Sequence, residues 1–146
     1  MNVEISFKRA EISDRSFLLT LRKASMDEHL HAAGIDMNDE QHLVRIDEFF
    51  QESFLIQYNN NPIGLVKLAL LPDSLHIRQL QILPEFHNQG VGSNVLLLIK
   101  KKAIERQLPI TLNVLLQNPA KRLYEREGFI VEGNTNLEYQ MRWRAK

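Results

Sequence analysis

The chain has no cysteine, a single tryptophan among 146 residues, no excess of either charge sign and no long apolar run. Without cysteine, disulfides, thiolate metal sites and a cysteine nucleophile are excluded. With 18 Lys+Arg against 18 Asp+Glu, the balance argues against a globally basic nucleic-acid binder, and no nucleic-acid partner is expected. The longest apolar runs, such as Val95–Ile99, fall far short of the roughly 18 residues of a membrane span, so no membrane association is expected. The opening Met1-Asn2-Val3-Glu4 shows no basic region followed by an apolar stretch, and the expected location is the cytoplasm.

What is present reads as one soluble globular domain over residues 1–146, with 44% hydrophobic and 25% charged residues. The zero net charge conceals a division. Residues 1–73 hold 7 basic and 12 acidic side chains, a net of −5, whereas residues 74–146 hold 11 and 6, a net of +5. The second half is the one suited to an anion.

Val3–Phe7 alternates as a strand. Ser13 is the expected N-cap of a helix through about Ala24, followed by a polar, histidine-bearing stretch Asp27–Gly34 that Gly34 ends. A second helix is expected from Asp36 or Asn38 to Phe50, with Leu43, Ile46, Phe49 and Phe50 on one face. The period then changes. Phe54–Tyr58 and Ile63–Leu71 read as strands around the Asn59–Pro62 turn, and Leu75–Leu83 follows as a third, with a slip between Ile77 and Leu80 compatible with a bulge. After Pro84 comes the loop His87–Gly92, then a helix to about Gln107 and a strand Ile110–Leu116. Strand, crossover helix and strand imply a parallel pair. Asn118 is placed to cap a short helix with Pro119 at its first position, running to Glu127 and stopped by Gly128. Phe129–Glu132 and Leu137–Arg144 form a closing hairpin in which Tyr139 and Trp143 share a face. The fold expected is α/β: a mixed, mainly antiparallel sheet with a parallel central pair and about four helices packed around it.

Two stretches carry chemistry. In Asn88-Gln89-Gly90-Val91-Gly92, two glycines let the backbone turn sharply and approach a ligand, and the N–H groups of the following helix face it. Such a loop suits phosphate or pyrophosphate, or serves only as a tight turn. The second stretch is Asn118-Pro119-Ala120-Lys121-Arg122-Leu123-Tyr124-Glu125-Arg126-Glu127-Gly128-Phe129. Here Tyr124 is either core or functional, and Lys121, Arg122 and Arg126 are either solvated or opposite phosphates.

Together these stretches resemble the GNAT superfamily of acetyl-CoA-dependent N-acyltransferases, most specifically over residues 75–131. That family has Gln/Arg-x-x-Gly-x-Gly/Ala after its fourth strand and, further on, an Asn shortly before Ala-x-x-Leu-Tyr-x-x-x-Gly-Phe, a spacing that Ala120, Leu123, Tyr124, Gly128 and Phe129 match, with Asn118 two residues ahead of Ala120. The resemblance implies a GNAT-like fold with acetyl-CoA as cosubstrate and no metal. It implies that His87, Asn88, Gln89, Gly90, Val91, Gly92 and Ser93 hold the pyrophosphate, mainly through backbone amides. Leu80, Gln81, Ile82 and Leu83 would pair with the pantetheine arm, and the Ile82 N–H would hold the developing oxyanion. Asn118 and Lys121 would touch the cofactor, and Tyr124 would present its hydroxyl to the departing sulfur. His87 and Asn88 depart from the family pattern, as does Arg78-Gln79, where many members carry a glutamate base.

The implied reaction is acetyl transfer to a primary amine of a small molecule or peptide, by direct attack in a ternary complex. Candidate bases are His76, His29, His31, Glu28, Asp27 and Glu138. The acids Asp27, Glu28, Asp36, Asp39 and Glu40 either form a rim for a cationic acceptor or serve to cap helices. The resemblance allows a homodimer. The alternative is a non-catalytic CoA-binding or protein-interaction module of the same fold.

Overall fold

A computed structural model describes residues 4–32 and 34–146, and all of their side chains but those of residues 27–29 and 32. Val3, Ala33 and the side chains of Asp27, Glu28 and His29 lie outside the described residues, together with the roles expected of them. The elements run β1 (Ile5–Arg9), α1 (Arg15–Ala32), α2 (Asp39–Asp47), β2 (Ser53–Tyr58), β3 (Asn61–Leu70), β4 (Leu75–Ile82), α3 (Val91–Arg106), β5 (Ile110–Leu115), α4 (Lys121–Arg126), β6 (Ile130–Asn134) and β7 (Glu138–Trp143). The strand order is β1-β2-β3-β4-β5-β7-β6. β4 and β5 are parallel, whereas β1–β2, β2–β3, β5–β7 and β6–β7 are antiparallel. This is the mixed α/β fold expected, with four α-helices among the described residues.

The chain packs as two compact units, one of residues 1–67 and 79–91, the other of residues 68–78 and 92–146. In the first unit, Ala10, Leu18, Leu21, Ile46, Leu55 and Leu65 form a buried core, with Phe17, Leu19, Leu43, Phe50 and Leu83 packed against it. α1 begins at Arg15, after a 3-10 turn Ile12–Asp14 whose N-cap is Glu11, and it runs on to Ala32. Ser13 therefore does not cap it, because Asp14 already accepts from the Glu11 N–H at 2.8 Å. Polarity does not break the helix beyond Ala24; Gly34 does, at φ 76, with Gly34 N–H bonded to His31 O and Ile35 N–H to Leu30 O.

α2 starts after Asn38, whose side chain accepts from Gln41 N while the Gln41 side chain accepts from Asn38 N. It stops short of Phe50 because the backbone is already extended at Glu48, with ψ 124, and Phe49 then turns left-handed, at φ 53, which leaves its ring 51% exposed rather than on the buried face. The other cap on α2 comes from β3. Lys67 is buried, and its Nζ donates to the carbonyls of Arg45, Ile46 and Glu48 at 3.1, 3.0 and 2.6 Å. An ammonium thus takes three acceptors at the C-terminal end of α2, one of which, Arg45 O, also accepts from Glu48 N–H at 3.3 Å. Burial holds its pKa below the ordinary 10.5, with the Arg22 charge adding to the shift and Glu48, Asp47 and Glu52 opposing it.

In the second unit, α3 buries Val95, Leu96, Ile99 and Ala103, and the strands bury Leu75, Ile77, Ile110, Leu112, Val114 and Met141. Lys100 repeats the device of Lys67: its Nζ donates to Glu127 O at 2.7 Å, at the end of α4, and lies 5.3 Å from the centre of the Trp143 ring. α4 ends as expected at Gly128, with φ 96, Gly128 N–H to Glu125 O and Phe129 N–H to Tyr124 O. It begins at Lys121 rather than Pro119, because the preceding bonds, Lys121 N–H to Asn118 O and Arg122 N–H to Pro119 O, close tighter 3-10 turns. No described helix is long and apolar enough to cross a membrane.

Candidate active site

The first unit carries the end of β4 and the loop behind it. Leu83 N–H donates to Ile63 O on β3 at 2.8 Å. Successive residues of an extended strand direct their N–H groups to opposite edges, so the Ile82 N–H points to the edge away from β3. The β4–β5 pairing covers Leu75–Ile77, and Ile82 lies beyond it. Gly64 on β3 is what permits this arrangement, because a Cβ there would collide with Gln81 O and stand 3.3 Å from Ile82 Cα. A glycine inside the apolar run Ile63–Leu65 was the available signal for that close approach.

The burial of β4 differs from the expectation. Leu80, Ile82 and Leu83 are half-buried, while Gln81 is 7% exposed and neither atom of its side-chain amide has a partner among the described residues. At this end of β4 the buried side chain is thus a glutamine and not an apolar residue.

Behind β4, Pro84–Phe86 forms a 3-10 turn with Pro at its first position. Phe86 packs against Tyr58 with ring centroids 6.1 Å apart. The turn carries His87 back over the strand, where its Nε2–H donates to Ile82 O at 2.8 Å. Gln89 braces the same loop, Nε2 donating to Glu85 O at 2.8 Å. Asn88 (φ 61) and Gly90 (φ 78) are both left-handed. Asparagine tolerates that conformation better than most residues, so Asn88 holds this turn without a glycine. α3 then begins at Val91, and the first-turn amides of a helix lack intrahelical acceptors and favour an anion.

In the second unit, a Cβ on Gly92 would stand 2.7 Å from Leu123 Cδ2, so this glycine lets the start of α3 lie against α4. Ser93 is half-buried one residue on. Asn118 Oδ1 accepts from Ala120 N at 2.9 Å, which closes the turn leading into α4; the N-cap of α4 is Ala120, without a side-chain cap bond, so Asn118 does not cap the helix, contrary to expectation. Lys121 Nζ is held 3.4 Å from the Glu125 carboxylate and 4.6 Å from the centre of the Tyr139 ring. Tyr139 and Trp143 flank buried Met141 on one face of β7, each under a lysine. Tyr124 is 7% exposed, its ring edge-on to Phe129, and burial pushes its pKa up to about 12.

The candidate bases are dispersed. His76 Nδ1 lies 2.7 Å from Thr111 Oγ1, whose hydroxyl donates to Ser74 Oγ at 3.2 Å. In that arrangement Thr111 accepts from His76, and the proton sits on Nδ1. His31 is exposed and 3.4 Å from Asp36, and Glu138 is half-buried on β7. Asp39 pairs with Lys23 at 3.0 Å and, with Glu40, occupies the first turn of α2, so these acids serve the helix. A shallow groove of about 390 Å³ along α2, lined by Met37, Gln41, Val44, Arg45 and Glu48, contains none of the expected site residues.

The sequence profile of the Acetyltransferase (GNAT) family matches residues 18–129, and the chain belongs to that family. No curated protein matches the sequence. Among solved structures, the PaiA N-acetyltransferase of Thermoplasma acidophilum in complex with coenzyme A is similar at 19% identity, over 97% of this chain and 99% of that one, with a TM-score of 0.76. An acetyltransferase from Thermus thermophilus is 16% identical, over 97% and 98%, with a TM-score of 0.80. A GNAT-family acetyltransferase from Listeria monocytogenes is 16% identical, over 99% and 100%, with a TM-score of 0.71. At such identities the likeness is one of fold. The resemblance read from residues 75–131 is borne out at the level of the family.

Proposed function

We propose that the chain transfers the acetyl group of acetyl-CoA to a primary amine of a small molecule or peptide, by direct attack in a ternary complex. The observation that carries this reading is the Leu83 N–H to Ile63 O bond, which turns the neighbouring Ile82 N–H to the edge of β4 beyond its pairing with β5. The residues fit an acyl-CoA. The left-handed Asn88 and Gly90 and the amides that open α3 suit a pyrophosphate, with Gln89, Val91, Gly92 and Ser93 alongside. Leu80–Leu83 offers a strand edge for an extended pantetheine arm, with Asn118 and Lys121 as further contacts.

The amine nitrogen attacks the thioester carbonyl carbon, the Ile82 N–H stabilises the oxyanion, and the C–S bond breaks to release the thiolate. Tyr124 is assigned to that sulfur. With its pKa at about 12 against about 8.5 for a cysteine-like thiol, full proton transfer is uphill by roughly 3.5 units, on the order of 5 kcal/mol. Tyr124 therefore acts by donating a hydrogen bond to the thiolate, and the proton shed by the attacking nitrogen completes the thiol.

The test exploits the absence of cysteine: any free thiol formed from acetyl-CoA with a panel of primary amines comes from CoA. Amine-dependent thiol release supports the reading. A second reading, a CoA-binding module without catalysis, is favoured by Arg78-Gln79 on β4, where no acid is available as base. Thermal stabilisation by acetyl-CoA with no thiol release across the panel supports it. No stabilisation defeats both, since a ligand at 100 times its Kd adds about 2.7 kcal/mol.

A further inference from the structure

We propose that His87 is a positioning residue that shapes the strand edge on which the thioester carbonyl is held; this rests on the reading of Ile82 above. The peptide joining Ile82 to Leu83 is tied at both ends, its N–H donating to Ile63 O at 2.8 Å and its C=O accepting from His87 Nε2 at 2.8 Å. The ring reaches that carbonyl because Phe86 N–H bonds to Leu83 O, His87 N–H bonds to Pro84 O, and Phe86 is packed against Tyr58. The device is thus a side chain reaching five residues back along a pinned turn, and not a part of the phosphate loop's own surface.

Its purpose follows from strand geometry. In an extended residue the N–H and C=O point to the same edge. Next to the Ile82 N–H stands the Ile82 C=O, whose negative end repels an oxyanion gathering at the donor. An N–H bonded to that carbonyl draws off its charge and fixes the peptide plane, leaving the edge with a donor for the ligand and its acceptor already engaged. A bare edge would offer the two alternately. His87 thereby selects a ligand carbonyl over a ligand N–H at Ile82.

The experiment uses acetyl-CoA and CoA alone and so needs no acceptor. Wild type, His87→Ala and His87→Gln are compared; the position is solvent-exposed, and a melting curve checks each fold. Isotope-edited infrared spectra of acetyl-CoA labelled with ¹³C at the thioester carbonyl report the polarisation of that bond, and titrations report the preference for acetyl-CoA over CoA. Wild type lowers the carbonyl frequency below that of free acetyl-CoA. His87→Ala moves the band back toward the free value and cuts the preference roughly three- to tenfold, the range carried by one neutral hydrogen bond, with CoA affinity held within about twofold. His87→Gln, which retains an N–H donor, restores both.

A wild-type band and preference in His87→Ala overturn the proposal while leaving the Ile82 reading intact. An equal loss of affinity for both ligands marks a loop-folding role and also overturns it. Acetyl-CoA binding by wild type without any shift of the carbonyl band removes Ile82 from the oxyanion role and the inference with it.

Discussion

Tyr124 meets Phe129 edge-on, with ring centroids 5.7 Å apart and planes at 63°, and the Phe129 N–H bonds to Tyr124 O in the turn that ends α4. One helix stop thus seats the phenol and buries it. Burial makes Tyr124 a poor acid and leaves it able to act only as a hydrogen-bond donor.

Tyr124→Phe keeps the ring packing and removes the donor. It lowers kcat by roughly ten- to a thousandfold, allowing about 1.4–4 kcal/mol for the donor, and leaves CoA affinity within about twofold. Steady-state kinetics with an accepted amine and a CoA titration check this; an unchanged kcat removes Tyr124 from the mechanism.

The same phenol makes stability depend on alkaline pH. The folded state keeps its proton up to about pH 12, whereas the unfolded chain gives it up near 10. Between those values the folded state binds more protons, so stability falls as pH rises. The loss attributable to Tyr124 approaches about 3 kcal/mol across that window. Denaturant unfolding of wild type against Tyr124→Phe isolates it. Equal slopes in the two proteins exclude the effect.

Lys67→Met replaces the ammonium that closes α2 with an apolar chain of similar length. One buried and two part-buried carbonyls lose this donor, and stability falls by about 2–4 kcal/mol. Amide exchange in α2 rises more than in the strands if the cap is the cause.

Gly90 and Gly92 fail differently when each is changed to alanine. At Gly90 there is open space, but φ is 78, so Gly90→Ala costs about 1 kcal/mol in backbone strain. At Gly92 the new methyl meets Leu123 Cδ2. A Gly92→Ala and Leu123→Ala cycle therefore shows coupling of about 0.5 kcal/mol or more, and Gly90→Ala shows none with Leu123→Ala.

Gln81→Met removes an amide buried without a partner among the described residues. The expected outcome is a gain of about 1 kcal/mol, because the desolvation of that amide is no longer incurred. A loss of stability instead marks a partner for Gln81 in solution.

The amino-acid sequence by itself determined the element order, the left-handed Gly34, Gly90 and Gly128, the turn at Asn118 and the family motifs. Each of these rests on bonds and dihedrals within a few residues, which local chemistry dictates. Element ends were legible only where a cap or glycine enforces them. α1 ran past the polar stretch because nothing local stops it before Gly34, and α2 stopped early at Asp47, where Glu48 turns extended ahead of Phe49, a residue with no preference for its left-handed turn. Only the tertiary structure decided that Lys67 and Lys100 cap helices far away in sequence, that Gly64 admits the Gln81 backbone, that a glutamine is buried on β4, and that His87 turns from the loop to the Ile82 carbonyl. Those depend on which strand lies beside which helix, and long-range contacts of that kind leave no period and no spacing in the sequence to read.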